Sequence, residues 1–460
     1  MNVKPFFLSL LFPMYVMGAA LVPNAPVPVS FLNSVATSVT VAGYDQTYMT
    51  VWTCQGESVC FVVSTDNGTT WTLPNGVNSV SYTIHTPWIA GNASGFVVVY
   101  VAFSIGAGPG ELKTTFTSDL GTSWNSAVTI APSAFPPATI TATTSGFLVT
   151  WWKDTTIFAS FSPDGQSWTP PVTIDDSSSP INPGVQPIAT GSGDNFMVTW
   201  TATNGSGFSA FSNDRGQTWT KTLIDAVFFV DGVPLWPSVN TDGFMVTTKD
   251  NSGTAYYSFS SNNGATWSTP LPITSGAQTT HYDAFPSVGS DWGFLSAGHF
   301  SDNSGQISLS TNDGGNWNAF VPFTAGFSME NTIIYDNFPC IAVGSQGCMA
   351  VWVDDNDNAI SCFIPRSQPT LPVRGLSGTN LTNRFPFQRQ YYNQLSWQAS
   401  PSKDVVGYNI FRNGTFFAGT SGLSYVDQTV AKHTTYTYTI VAHTSTGATS
   451  TGVSITITVP

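Results

Sequence analysis

Charge is what this sequence has least of. Aspartate, glutamate, lysine and arginine together make up 8% of its 460 residues, against about 25% in an average soluble protein. Lysine and arginine number 13, so the formal net charge is −13. Binding nucleic acid needs a basic face to neutralise phosphates, and this composition argues against one. No long apolar helix is written into the chain, and turn residues break it every few positions, which excludes coiled coils and acidic disorder. What it has instead is 13% aromatic residues, 41 glycines and 30 prolines. A chain so rich in Thr, Ser and Gly reads as a well-packed all-β protein. Its length suits one large architecture with a smaller one beside it.

The amino terminus reads as an address. Lys4 precedes an apolar run from Phe6 to Met17, and Gly18-Ala19-Ala20 follows. A short basic start, an apolar middle and small residues at the end make residues 1–20 a secretory signal peptide, cut near Ala20. The run is shorter than the roughly 20 apolar residues of a membrane span, and it holds Pro13. The mature chain is therefore expected to lack a transmembrane segment and to be secreted or held at the cell surface. Five cysteines fit an oxidising compartment, with one left over. Cys54 and Cys60 flank a short loop and could pair across a hairpin. Cys340–Cys348 and Cys348–Cys362 are both feasible pairs, and three buried thiols are an equal alternative.

Self-comparison gives the first specific signal. An aromatic-led strand recurs as Tyr48-Met-Thr-Val-Trp52, Phe96-Val-Val-Val-Tyr100, Phe147-Leu-Val-Thr-Trp151, Phe196-Met-Val-Thr-Trp200, Phe244-Met-Val246, Phe294-Leu-Ser296 and Cys348-Met-Ala-Val-Trp352, at steps of 48 to 54 residues. After each of the first six comes a turn that ends in Trp. The six are Ser64 to Trp71, Thr117 to Trp124, Ser162 to Trp168, Ser212 to Trp219, Ser260 to Trp267 and Ser310 to Trp317. Their common pattern is Ser-x-Asp-x-Gly-x-x-Trp, and it resembles the Asp box of sialidase-like (BNR-repeat) β-propellers. Asp66, Asp119 and Asp214 keep its Asp; Asp164 sits in a copy one residue short, and Asn262 and Asn312 replace it in the last two. An Asp or Asn oxygen there would accept from turn N–H groups, Gly would take the positive-φ position, and Trp71, Trp124, Trp168, Trp219, Trp267 and Trp317 would pack between sheets. These residues read as structural pegs.

Each unit reads as four antiparallel strands of a propeller blade. In the fourth they are Pro187–Thr190, Phe196–Thr201, Phe208–Ser212 and Trp219–Ile224. The seventh unit offers three strands, Cys340–Val343, Met349–Val353 and Ala359–Ile364. Pro26 to Asn33 could supply its missing outer strand. The expected fold is thus an Asp-box β-propeller over residues 21–368, seven blades favoured over six. From residue 369 to 460 the pattern changes. Leu395-Ser-Trp397, Gly407 to Phe411, the Asn413-Gly414 turn and Thr435 to Val441 resemble a fibronectin type III domain, an immunoglobulin-like β-sandwich. Trp397 would be its core tryptophan, and Tyr436 or Tyr438 its corner tyrosine. Charge divides with the domains. Residues 22–365 carry a net −19 and residues 366–460 a net +5.

The resemblance implies a chemistry that the residues do not support. Sialidases hold the substrate carboxylate with three arginines, one of them in Arg-Ile-Pro, and bidentate pairing of this kind is difficult to replace with lysine. Residues 22–365 hold one arginine, Arg215, inside an Asp box, so sialidase activity does not carry over. Other Asp-box propellers resemble glycosidases that cut neutral glycans with two carboxylates. For that alternative the candidate catalytic groups are Asp225, Asp231, Asp283 and Glu330, with solvated loop carboxylates as the plainer reading. Trp236, His281, Tyr282 and Tyr335 are candidate ligand contacts on the same loop-rich face, whose aromatics and carboxylates suit sugar rings. Trp236-Pro237 also matches Phe135-Pro136, Phe285-Pro286 and Phe338-Pro339 as a lead into a first strand, which favours packing. No cofactor is expected. Asp354-Asp-Asn-Asp-Asn358 has the look of a calcium loop, but Ala359 stands where an EF-hand needs Gly, and a tight hairpin is the simpler reading. Two functions remain open at this point: a non-catalytic module binding glycan or protein, and a glycoside hydrolase.

Overall fold

The structure, a computed structural model, describes residues 21–29, 36–54, 58–77, 83–103, 109–175, 180–182, 185–225, 233–250, 252–273, 285–300, 302–326, 328–329, 339–366, 371–402, 405–444 and 449–460. It is all-β, with no helix among the described residues. The chain divides into two compact units, one running Leu21–Arg366 and the other holding Ser367–Pro460.

The first unit is built of five four-stranded antiparallel sheets and one seven-stranded sheet. The second strand of each four-stranded sheet, and the strands Gly95–Phe103 and Gly146–Lys153 of the seven-stranded one, are the repeated aromatic-led segments. Thr47–Cys54, Gly146–Lys153 and Gly347–Val353 are buried along almost their whole length, because each is covered on both faces by neighbouring sheets. The first strands, among them Ala36–Tyr44, Thr83–Asn92, Ile188–Ser192, Ser287–Ser290 and Cys340–Gly344, lie side by side in chain order, and the last of them returns to lie against the first. Sheets set radially around such an inner ring make a β-propeller.

The Trp-ended turns bind each sheet to the one before it. In all six a Ser or Thr hydroxyl donates to the Asp or Asn oxygen two residues on, at 2.7–3.1 Å. In the five full-length copies the same hydroxyl accepts from the glycine N–H, at 2.8–3.0 Å. Each of these turns needs two successive residues in the left-handed region, as at Leu120 (φ 58°) and Gly121 (φ 82°), and only glycine does this at the second position without strain. Glycine is needed there for room as well. A Cβ on Gly121 would stand 2.2 Å from the Phe61 ring of the preceding sheet, and one on Gly68 would stand 2.5 Å from Met349 Cε of the last sheet. The first turn is therefore pressed against the last sheet, and the ring is held shut by the same contact that joins its other members.

The last sheet is completed from the amino-terminal side. Val27–Pro28 pairs with Ala359–Pro365, Val27 opposite Ser361 and Pro28 opposite Ile360, and Asn24 N–H donates to Phe363 O at 2.8 Å. The expected closing strand was Pro26–Asn33; its second half falls outside the described residues. One departure from the repeat is the strand Val128–Thr143, sixteen residues long. Its first half pairs with Gly110–Thr117 and its second with Gly146–Lys153, so it serves as the outer strand of one sheet and the inner strand of the next. Cys54 and Cys60 form a disulfide across the end of the first hairpin. Cys340, Cys348 and Cys362 are buried thiols of the last sheet, where burial pushes Cys362 up to about 12.

The second unit is two sheets around one core. Arg374–Arg384, Arg389–Gln398 and Ser424–Asp427 form the first; Val405–Arg412, Thr415–Thr420, Thr435–Thr444 and Val453–Thr458 form the second. Leu395 and Trp397 of one meet Tyr408, Ile410, Tyr438 and Ile440 of the other. A polar cluster is sealed inside. Asp427, 1% exposed, accepts from Tyr438 Oη at 2.6 Å, from Arg412 Nη1 at 2.9 Å and from Thr429, while Asn393 Nδ2 donates to Tyr438 Oη. Burial alone would raise the Asp427 carboxyl; Tyr438, Thr429 and Arg412 more than offset this and hold it below the ordinary carboxylate range.

Gly121→Ala should destabilise the first unit by about 2–3 kcal/mol, combining a forbidden φ with overpacking, which calorimetry would register. Asp427→Asn should destabilise the second unit by about 2 kcal/mol, since the buried acceptor of Tyr438 and Thr429 loses its charge and the half-buried Arg412 its counter-charge. Because its folded-state pKa is depressed, Asp427 adds stability that is present above the ordinary value of about 3.9 and is lost as pH falls below it. In acid, the second unit's transition in the wild type should therefore move down toward that of Asp427→Asn.

Candidate functional site

The inner strands enclose a cavity of about 470 Å³ whose lining includes Thr40, Thr141, Thr190, Asn240, Trp88 and Trp236. Hydroxyls staple its wall from one sheet to the next. Thr40 Oγ1 donates to Pro87 O at 3.0 Å, Thr139 Oγ1 to Pro187 O at 2.7 Å, Thr199 Oγ1 to Leu235 O at 2.7 Å and Thr247 Oγ1 to Phe285 O at 2.6 Å. Trp236, a candidate ligand contact, opens the strand Trp236–Val239 and stacks on Trp88 with ring centroids 5.7 Å apart and planes 25° apart. Both rings are buried, at 6% and 8% exposure. One face of Trp236 is thus covered by Trp88, a residue to which the sequence reading gave no role. Its signal was there in Pro87-Trp88, an aromatic beside proline at the head of a first strand.

Asp225 is the one member of the candidate catalytic set that is described. It ends the strand Thr220–Asp225, half-buried, opposite Gly207. Asp231, Asp283, Glu330, His281, Tyr282 and Tyr335 lie outside the described residues. Other carboxylates of the loop face are spoken for within their own turns. Asp250 Oδ1 accepts from Ser252 N and Thr254 N, both at 2.9 Å. Asp302 Oδ1 accepts from Ser304 N at 3.0 Å and from its hydroxyl, bonds that hold the Asp302 carboxyl below its usual range. Asp175 is buried and pairs with Lys221 Nζ of the next sheet at 3.0 Å.

The acids of the Trp-ended turns are likewise engaged. Thr70 N donates to Asp66 Oδ1 at 2.9 Å and Thr70 Oγ1 to Oδ2 at 2.6 Å. At Asp119 the Ser123 hydroxyl and N–H with the Thr117 hydroxyl pull the carboxyl down to about 2. Asn262 and Asn312 keep the acceptor, taking the N–H of Thr266 and Asn316 at 2.9 and 2.7 Å. Arg215 sits in the left-handed position of the fourth turn. It is half-exposed there and paired with Asp194, Nε to Oδ1 at 2.9 Å and Nη2 to Oδ2 at 3.4 Å.

Among the described residues no three His, Cys, Asp or Glu side chains group as a metal site. The Asp354–Asn358 segment is a closed hairpin turn, in which Asp354 Oδ1 accepts from Asn356 N and Asn358 N at 2.9 Å. Among the described residues no helix is long and apolar enough to cross a membrane.

No protein-family model and no curated protein matches the chain. Solved structures do show likenesses. The fucose-recognising, six-bladed β-propeller lectin of the fungus Aleuria aurantia is 12% identical, over 65% of this chain and 98% of its own, with a TM-score of 0.43. A fungal alcohol oxidase of the AA5 family, in complex with copper, is 11% identical over 95% of this chain and all of its own, at 0.48. A protein of unknown function from Dyadobacter fermentans is 12% identical over 75% of this chain and 99% of its own, at 0.46. Likenesses this distant assign this chain neither a family nor a ligand.

If Trp236 is part of the packed wall, Trp236→Ala should destabilise the first unit by about 3–5 kcal/mol. Either Trp88→Ala or Trp236→Ala should also abolish the exciton couplet of the stacked indoles in circular dichroism.

Proposed function

We propose that this chain is an exported, non-catalytic β-propeller of the sialidase-like Asp-box type that binds glycans through its loop-rich face. The observation that carries the reading is the condition of Arg215. It is the one arginine of residues 22–365, and it is engaged bidentately by Asp194 in a Trp-ended turn. A sialidase clamp needs three arginines converging on one carboxylate, so the scaffold is kept without the means of holding an acidic sugar. What the loop face offers instead, in sequence, is aromatic rings and hydrogen-bonding side chains, including Tyr282, His281 and Tyr335, a combination that suits neutral sugars.

Three finer readings belong with this one. We count seven blades, dividing the seven-stranded sheet at the shared strand Val128–Thr143 and completing the last blade with Val27–Pro28. We read the second unit as a fibronectin type III-like domain. Support comes from its division into three- and four-stranded sheets, from buried Trp397, and from Tyr436, whose hydroxyl takes the Ala431 N–H five residues upstream in the manner of a tyrosine corner. Export rests on the leader-like residues 1–20 and agrees with the Cys54–Cys60 disulfide, which suits an oxidising compartment.

A glycan array probed with residues 21–460, read for both retention and released product, tests the proposal. Retention of neutral glycans without product is expected, weakened at least about tenfold by Tyr282→Ala if that ring stacks on the sugar. Release of a neutral sugar would replace the proposal with a two-carboxylate hydrolase, and release of sialic acid would remove its premise. Silence on both readouts would leave a protein ligand in place of a glycan.

A further inference from the structure

The second unit ends, on one side, in a hairpin with an unusual tip. Arg374–Arg384 and Arg389–Gln398 pair along their length, and the chain reverses through Phe385-Pro386-Phe387-Gln388. Phe385 N–H donates to Gln388 O at 2.8 Å and Gln388 N–H returns to Phe385 O at 3.4 Å, with proline at the turn position that favours it. Phe387 is 102% exposed and Phe385 55%. Directly below them Arg384 stands opposite Arg389 in the register, a like-charge pair that destabilises a hairpin in isolation. Nothing described in this unit offsets it. Residues 366–460 hold two acids, Asp404 and Asp427, and Asp427 is committed to Arg412 and Tyr438. Among the described residues, Arg374, Arg384 and Arg389 make no ion pair.

Two bare aromatic rings with uncompensated cations beside them form an amphiphile at the end of a lever. We propose that this tip docks on an anionic lipid surface, Phe385 and Phe387 entering the boundary between headgroups and acyl chains while Arg384 and Arg389 pair with the headgroups. Shape selects a bilayer over a rigid ligand. The tip is convex and supplies no wall against which a sugar or peptide could be held, whereas a bilayer deforms around an inserted ring. Charge selects the unit, because residues 22–365 of the first unit, at net −19, are repelled by the surface that attracts the arginines. Contact would be weak, reversible and sensitive to salt, each arginine contributing about fivefold in affinity.

Co-sedimentation of residues 21–460, which hold both compact units whole, with phosphatidylcholine vesicles containing phosphatidylserine tests this. Binding is expected there and not on phosphatidylcholine alone. It should fall at least about tenfold in the Phe385→Ser/Phe387→Ser variant and about fivefold in Arg384→Gln. The thermal transition of neither variant should fall, because the altered side chains are exposed and Arg384→Gln relieves the like-charge pair. No binding to the anionic vesicles would overturn the proposal, as would binding that the double phenylalanine substitution leaves intact. Retention on sulfated-polysaccharide beads without retention on vesicles would also overturn it, in favour of an acidic glycan.

Discussion

The first unit depends on one contact made over and over: a turn glycine laid against the side chains of the preceding sheet. Each of the six turns does two jobs at once. Its Ser or Thr hydroxyl and its Asp or Asn oxygen satisfy the turn's own N–H groups, and its glycine, free of a Cβ, lets the turn settle onto Phe61, Val97, Leu148, Met197, Tyr257 or, at the seam, Met349. A sheet with an unsatisfied turn would carry buried polar groups into an apolar interface. A turn with a side chain at that glycine would hold the sheets apart. The ring's geometry follows from meeting both requirements in a space of about one methyl group.

The same arrangement explains how so acidic a unit remains compact. The carboxylates of its Trp-ended turns are satisfied locally by hydroxyls and backbone N–H groups, not by cations. Those bonds stabilise the ionised form, which is why Asp119 titrates near 2 and why Asp66, Asp164 and Asp214 are also held low against the opposing effect of burial. The acids of a Trp-ended turn are therefore poor proton donors at any ordinary pH, and this separates them from the catalytic carboxyls of a glycosidase, one of which must hold a proton near neutrality. Nearer the axis hydroxyls take over the task again. Thr40, Thr139, Thr199 and Thr247 reach from sheet to sheet into carbonyls at the heads of the first strands.

What could be read in the sequence was whatever repeats. Period, strand order within a unit and the pegging Asp and Asn stand out because seven near-copies average away local accident. The closing pairing of Val27–Pro28 was legible by bookkeeping, since one strand was missing at one end and one was spare at the other. Features without a second copy were not. The double duty of Val128–Thr143, paired with Gly110–Thr117 on one side and Gly146–Lys153 on the other, has no second copy to announce it. Trp88 escaped because an aromatic at a strand head reads as local packing, and its partner Trp236 is 148 positions away. The Asp427 cluster gathers residues from four strands of the second unit, each of which would pass for a solvated polar residue if met alone. The candidate loop-face residues illustrate the opposite failure. At Asp250 and Asp302, spacing shows that a carboxylate is in a loop and not that the loop's own N–H groups have already claimed it.

The two units settle their polar groups in opposite ways, and this bears on which of them meets charged surroundings. In the first, the acids of the Trp-ended turns are tied into those turns, and others pair with the few bases there are, as in Asp194 with Arg215, Asp175 with Lys221 and Asp291 with Arg366. Its one bidentate arginine is spent on structure. In the second, one arginine is consumed in the core, where Arg412 lies 4.1 Å from the Phe417 ring and bonds Asp427. The arginines of the hairpin are left unmatched beside exposed phenylalanines. Like charges set opposite each other across a strand pair weaken that pair unless something outside the fold supplies the counter-charge. Stability alone gives no reason for Arg384 and Arg389 to face each other at a bare apolar tip, whereas an anionic surface would compensate both arginines and both rings in a single contact.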